Sequence, residues 1–123
     1  MEDNVRWFVR KGPFADRPEY DMGGDYNGYV IIPKHNPYFG KSYDDVDIDI
    51  HGGWTYCANG DGPSWEEVPE ECRTCDHYIF GWDTLHSGDS RGKWPKEKVE
   101  KLTERAAAEF RLAQLKNIRR TKK

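Results

Sequence analysis

Long apolar runs are missing from this chain, and their absence narrows the field first. No stretch approaches the ~20 consecutive apolar residues that a membrane span requires, and the opening "MEDNVRWFVRKGPFADRP" has no apolar h-region of a secretory signal. Cysteine is scarce and odd in number. Three cysteines in 123 residues exclude a complete disulfide framework and favour a reducing compartment. A soluble, cytoplasmic protein with no membrane partner is therefore expected. The chain also lacks a phosphate loop, a dinucleotide glycine fingerprint and a nucleophile elbow, which removes the commonest sequence-legible enzyme classes. There is no internal repeat and no low-complexity linker.

Aliphatic residues are few as well. Hydrophobic residues make up 36% of the chain, and the mean hydropathy of -1.00 is low for a globular protein. Aromatics compensate at 14%, with five Trp and seven Tyr. Disordered chains are poor in such rings, so a folded domain over residues 1–123 is expected, its core resting on a few large side chains of about 150–250 Å² each. The net charge of -3 argues against nucleic acid as a partner through bulk charge. Acids crowd Asp44 to Asp49 and Glu66 to Glu71, while the chain ends in "KNIRRTKK", read as a solvated helix end rather than a phosphate-binding tail.

Along the chain, residues 1–27 read as a loop-rich segment with one short strand from Arg6 to Val9. "GYVIIP", 28–33, reads as a strand closed by Pro33. In "VDIDIHGGWTYC", Val46, Ile48 and Ile50 alternate with Asp47, Asp49 and His51, the period of a half-buried strand. Gly52-Gly53 then permits a sharp bend before "WTYC" resumes as strand. Residues 58–76 form a polar, cysteine-bearing excursion, and "HYIFGWD", 77–83, returns as an aromatic strand, so strands occupy much of 28–83. A helix over 95–118 starts at Trp94-Pro95 and presents Val99, Leu102, Ala106, Phe110 and Ala113 as a stripe, widened by Leu112 and Leu115. The expected architecture is α+β: a small, mostly antiparallel sheet of four to five strands covered by one long C-terminal helix.

Three groups of residues have the chemistry of a site. In "GWDTLHSGDS", Asp83, His86 and Asp89 recur at intervals of three round one turn, within reach of a common point. Carboxylate and imidazole together suit a divalent metal or an acid–base pair. A polar turn needs the same residues, with Gly88 supplying positive φ. In "DIDIHGG", Asp49 and His51 share a face of the expected strand, and the glycines allow close approach of a ligand to the backbone. A solvent-facing histidine at a hairpin bend would read identically. The third group is Cys57, Cys72, Cys75 and His77, whose "CRTC" has the spacing of a zinc knuckle and would make a closed, structural zinc site. Free buried cysteines are an equally ordinary explanation. The rings of Tyr26, Tyr38, Phe39, Tyr43 and Trp54 are able to stack a base, although a core this short of aliphatics needs them.

The strings "HGGWTY" and "GWDTLHSGDS", followed by a tryptophan-proline and an amphipathic helix, resemble a family of small proteins of bacteriophages and prophages. In that family a "GYV-x-(I/L)-P" strand leads to "HGG-x-T-(Y/F)" and then to "GFD-x-x-H-x-GD". The likeness spans about residues 28 to 115, with Trp82 in place of Phe and with the cysteine excursion lying in a variable region. It implies that His51, Gly52, Gly53, Thr55, Gly81, Asp83, His86, Gly88 and Asp89 form one constellation, and it implies a bacterial host cell. It implies no reaction.

The function expected first is that of a phage-type accessory protein. It would bind a small polar or anionic ligand, a nucleotide among the candidates, between the "HGG" bend and the "WDTLHSGD" turn, and act against host defence. The ligand-binding residues would be His51, Gly52, Gly53, Thr55, Asp83, His86, Gly88 and Asp89. One alternative is a metal-dependent hydrolase using His51, Asp83, His86 and Asp89. Another is an inhibitor of a host protein, docking through the acidic stretch or the helix.

Overall fold

The computed structural model describes residues 5–13, 15–17, 19, 23–86 and 88–121, and side chains within the last helix up to residue 116. The side chains of residues 117–123 and parts of the 1–27 segment lie outside these. Four strands, β1 (Arg6–Lys11), β2 (Tyr26–Pro33), β3 (Tyr56–Asn59) and β4 (His77–Trp82), precede one helix, α1 (Lys96–Thr121). The strands form a single antiparallel sheet in the order β1-β2-β4-β3, an α+β arrangement. No helix among the described residues is long and apolar enough to cross a membrane.

Strand β2 is central and buried on both sides, which explains its unbroken "YVIIP" in place of polar alternation. Val30 and Ile32 point one way, into a core shared with Phe80, Trp82 and the helix residues Val99 and Phe110. Tyr29 and Ile31 point the other way, into a second cluster with Ile79, Val68 and Cys72. Helix α1 covers the first face. The second face is covered by the 58–76 excursion, where Trp65 packs on Tyr29 with ring centroids 4.9 Å apart and Arg10 lies 4.3 Å over the same indole. A segment that reads as too polar to pack is thus anchored by a few apolar side chains, Trp65, Val68 and Cys72.

Two expectations change. Residues 46–50 form no strand: the chain bends at Ile48 and pairs with no strand. Burial does alternate, with Ile48 buried between the exposed Asp47 and Asp49, because the segment packs on the helix side of the sheet rather than along its edge. The Trp54 indole N–H donates to the Ile48 carbonyl at 2.9 Å and fixes it there. The helix stripe holds at Val99, Ala106 and Phe110 and is widened on its other side by Thr103, Ala107 and Gln114, all buried, whereas Leu112 and Leu115, expected to widen it, stay 50% and 52% exposed. Of the stacking candidates, Trp54 is buried, Tyr38 packs edge-on to Phe110 and Phe39 on Tyr78, so all three serve the core.

Glycine is required where helix and sheet meet. A Cβ on Gly28 would stand 2.0 Å from Thr103 Oγ1 and 2.4 Å from Trp82 Nε1. Its absence lets the Trp82 N–H donate to Thr103 Oγ1 at 3.0 Å, while the same hydroxyl donates to the Val99 carbonyl at 2.7 Å. The indole bond ties β4 to α1 in an otherwise apolar layer.

Candidate functional site: an Asp89-centred histidine pair

The loop after β4 is held against β2 before it does anything chemical. Thr84 is fully buried: its hydroxyl donates to the Tyr26 carbonyl at 2.9 Å, and its carbonyl accepts from Gly24 N–H at 2.7 Å. The Asp83 carboxylate, one residue earlier, accepts from Leu85 N–H at 3.0 Å and from the Thr55 hydroxyl at 2.9 Å. Thr55 reaches it because its own N–H bonds Gly81 O at 2.9 Å, at the start of the β3–β4 ladder. Asp89 N–H then returns to His86 O at 2.9 Å, with Gly88 at φ 89° between them. The turn is pinned at both ends.

Asp89 is the centre of the site. Its side chain is 6% exposed. One oxygen, Oδ1, accepts from Trp94 Nε1 at 3.1 Å, and the other, Oδ2, accepts from the His86 backbone N–H at 3.0 Å. Both imidazoles converge on the same carboxylate: His51 Nε2 is 3.1 Å from each oxygen, and His86 Nδ1 is 3.1 Å from Oδ2. Burial alone would push the Asp89 carboxyl up. The hydrogen bonds from His86 N–H and from the two imidazoles outweigh it and hold the group below the ordinary aspartate value.

His51 reaches this point from the far side of the molecule's sequence. Consecutive glycines at φ 72° and 82° turn the chain directly after it, and Gly53 N–H closes the turn on Ile50 O at 3.0 Å. The His51 ring lies on Trp94 with centroids 4.2 Å apart and meets the His86 ring edge-on at 5.0 Å. The other nitrogen of His86, Nε2, is 3.4 Å from Asp83 Oδ1. A continuous row results: Thr55, Asp83, His86, Asp89, His51. Both imidazoles remain 31% exposed, so the row is reachable from solvent.

The constellation expected from sequence is therefore brought together, with its glycines as backbone and its Thr55, Asp83, His86, Asp89 and His51 side chains as functional groups. Trp94 and Thr84 were missed. Trp94 stands five residues after Asp89 and before the helix proline, where it reads only as a helix start; Thr84 reads only as a turn residue. Asp49, expected on one face with His51, is exposed and lines the same cavity as His51, but it is not part of the Asp89-centred row.

The cysteine group does not come together. Cys57 lies on the α1 face of the sheet and Cys72 on the opposite face, in separate clusters, with the sheet between them. Cys75 is exposed, and His77 Nδ1 is engaged with the Thr74 hydroxyl at 2.9 Å. A hydrogen bond with Cys57, together with burial, pushes the Tyr78 hydroxyl up to about 12. Burial pushes the Cys72 thiol up, away from the thiolate a metal needs. Among the described residues, the group of three or more His, Cys, Asp or Glu with ligand atoms within 4.8 Å of one another is His51, His86 and Asp89.

A cavity of about 320 Å³ adjoins this centre, but it is not the one expected between the two turns. It opens between residues 47–51 and α1, lined by Asp47, Asp49, His51, Arg105 and Glu109 over an apolar base that includes Leu102. Asp47, Asp49, Arg105 and Glu109 make no ion pair or side-chain hydrogen bond among the described residues. His51 belongs to both cavity and centre. Compared with protein-family models, with curated proteins and with solved structures, the chain matches none.

Proposed function

We propose that this protein binds a small polar ligand in the cavity beside His51, as an accessory protein of phage type acting on a host's defence or metabolism. The observation that carries the reading is the cavity itself. It has the size of a small-molecule site, and its rim holds three carboxylates and one guanidinium with no partner among the described residues. Unpaired charges around a concavity are what a polar ligand would satisfy.

The rim also selects the ligand's chemistry. Asp47, Asp49 and Glu109 outnumber Arg105, and no Phe, Tyr or Trp lines the space. A nucleotide phosphate would meet net repulsion there, and a base would find only the His51 imidazole to stack on. A ligand carrying an amine, with a carbonyl or carboxylate for Arg105, fits better. Mass spectrometry of the supernatant from freshly purified, denatured protein, followed by calorimetric titration of amines, amino acids and nucleotides, tests this. An amine-bearing ligand whose binding weakens at least tenfold in Asp49→Asn or Arg105→Ala is the expected result; no retained or titratable molecule in either experiment overturns it.

The inhibitor reading has one observation in its favour, the exposed Leu112 and Leu115 on the outer side of α1. A pull-down from host lysate with Leu112→Ser/Leu115→Ser as control separates it from ligand binding. The hydrolase reading depends on a metal at the histidine pair.

A further inference from the structure

We infer that His51, His86 and Asp89 bind one divalent first-row transition-metal ion, with Asp83 as the carboxylate that orients His86. This does not rest on the cavity as a ligand site; it concerns a different set of atoms, joined to the cavity only through His51.

The donor set is two imidazoles and one carboxylate, a combination used where a metal keeps open positions for chemistry. Its spacing fits. Metal–ligand bonds of about 2.0–2.1 Å place neighbouring donor atoms about 3.0 Å apart in octahedral and about 3.3 Å apart in tetrahedral coordination. His51 Nε2 and His86 Nδ1 each lie 3.1 Å from the Asp89 carboxylate, and the three donor atoms lie within 4.8 Å of one another. The three donors meet from separate segments, the 51–53 bend and the 83–89 loop, so no single turn's local hydrogen bonding explains their convergence.

The surrounding shell is the second argument. Ligating histidines as a rule donate their other N–H to a carboxylate, and ligating carboxylates are themselves hydrogen-bonded. Here His86 Nε2 faces Asp83 Oδ1 at 3.4 Å, and Asp83 is fixed independently by Thr55 and by Leu85 N–H. Asp89 is fixed by Trp94 Nε1 and by His86 N–H without help from either imidazole. Each carboxylate thus keeps its orientation when the imidazole nitrogens turn to a metal.

The His86 ring lies between two carboxylates, with Asp89 at Nδ1 and Asp83 at Nε2, so a cation held jointly by Nδ1 and Asp89 leaves Nε2 facing Asp83. With three protein ligands and both rings partly exposed, the ion retains positions for water or for a group of a ligand in the adjoining cavity.

The test uses the full chain, dialysed against a chelator and titrated with Zn(II), Co(II) and Ni(II). One equivalent per chain is expected, with Co(II) giving a ligand-field spectrum of nitrogen and oxygen donors. Affinity falls at least 100-fold in His86→Ala and in His51→Ala, and 10- to 100-fold in Asp83→Asn, whose packing volume is unchanged. A Cys57→Ala/Cys72→Ala/Cys75→Ala chain retains wild-type stoichiometry, with folding of every variant checked by circular dichroism. Failure of all three ions to bind wild type, or wild-type affinity in a folded His51→Gln/His86→Gln chain, overturns the assignment. Because these titrations contain no organic ligand, their outcome is independent of whether the cavity binds one.

Discussion

Gly52 lies against the His86 imidazole so closely that a Cβ built on it would stand 2.2 Å from His86 Cε1. The sequence had suggested that these glycines admit a ligand to the backbone. Gly52 instead admits the second histidine of the site, and the bend and the loop interlock through it.

Substitution should therefore separate the two glycines. Both have positive φ, but nothing lies within 4 Å of a Cβ on Gly53. Gly53→Ala is expected to cost about 1–2 kcal/mol, the strain of a left-handed alanine. Gly52→Ala carries the same strain and also displaces the His86 ring, so its loss should be larger and metal affinity should fall with it. Urea denaturation of both variants checks the order; equal losses would show that the His86 contact is unimportant.

At the helix–sheet contact, Gly28→Ala is expected to destabilise by about 1–3 kcal/mol through overpacking, since its Cβ would enter the Trp82–Thr103 hydrogen bond. Thr103→Val, which keeps the shape and leaves the indole N–H unpaired, should cost about 1–3 kcal/mol. The double variant should lose less than the sum, because both changes act on one bond. Denaturation midpoints of the three chains give the coupling.

Asp89→Ala removes the acceptor of the buried Trp94 N–H and of His86 N–H. A loss of about 1–3 kcal/mol per stranded buried donor is expected, measured with chelator present so that no metal contributes. Asp89→Asn retains an acceptor oxygen and should recover part of that loss while binding metal poorly.

His77 supplies a pH dependence away from the site. Burial holds its imidazole below the ordinary histidine value. Well above that ordinary value both folded and unfolded states are neutral here and nothing changes. As pH falls, the unfolded chain takes up the proton first, so stability declines until pH passes the folded value, below which the loss is complete. His77→Gln should flatten this part of the stability profile between pH 8 and pH 5, read from denaturant midpoints. An unchanged slope would place the dependence elsewhere.

Cys75 is exposed, so Cys75→Ser should shift stability by no more than about 0.5 kcal/mol. Cys72→Ser places a hydroxyl among Ile31, Val68 and Ile79 and should cost about 1–3 kcal/mol. A shared zinc would make the two variants equally damaging.

Much of the fold was legible because its signals are local. Pro33 ends β2, Trp94-Pro95 starts α1, and "YVIIP" and "HYIFGW" carry strand composition, each acting over a few residues. The alternation of residues 46–50 was real as a pattern of burial. It misled as to pairing, because period two reports which side chains face the protein and not whether the backbone has a neighbour to bond. Leu112 and Leu115 misled for a related reason: a helix stripe is only as wide as the surface opposite, and both lie on the outer side of α1 while Phe110 and Gln114 face inward and are buried.

For the site, the chain by itself fixed which groups were available and that glycine bends stood beside both histidines. Only the folded molecule decided that His51 and His86 share Asp89, that Trp94 closes the same carboxylate, and that a sheet divides Cys57 from Cys72. The physical reason is separation along the backbone. His51 and Asp89 are 38 residues apart, and spacing rules govern neighbours within a turn, whereas strand order and register determine which distant turns arrive at the same end of a sheet.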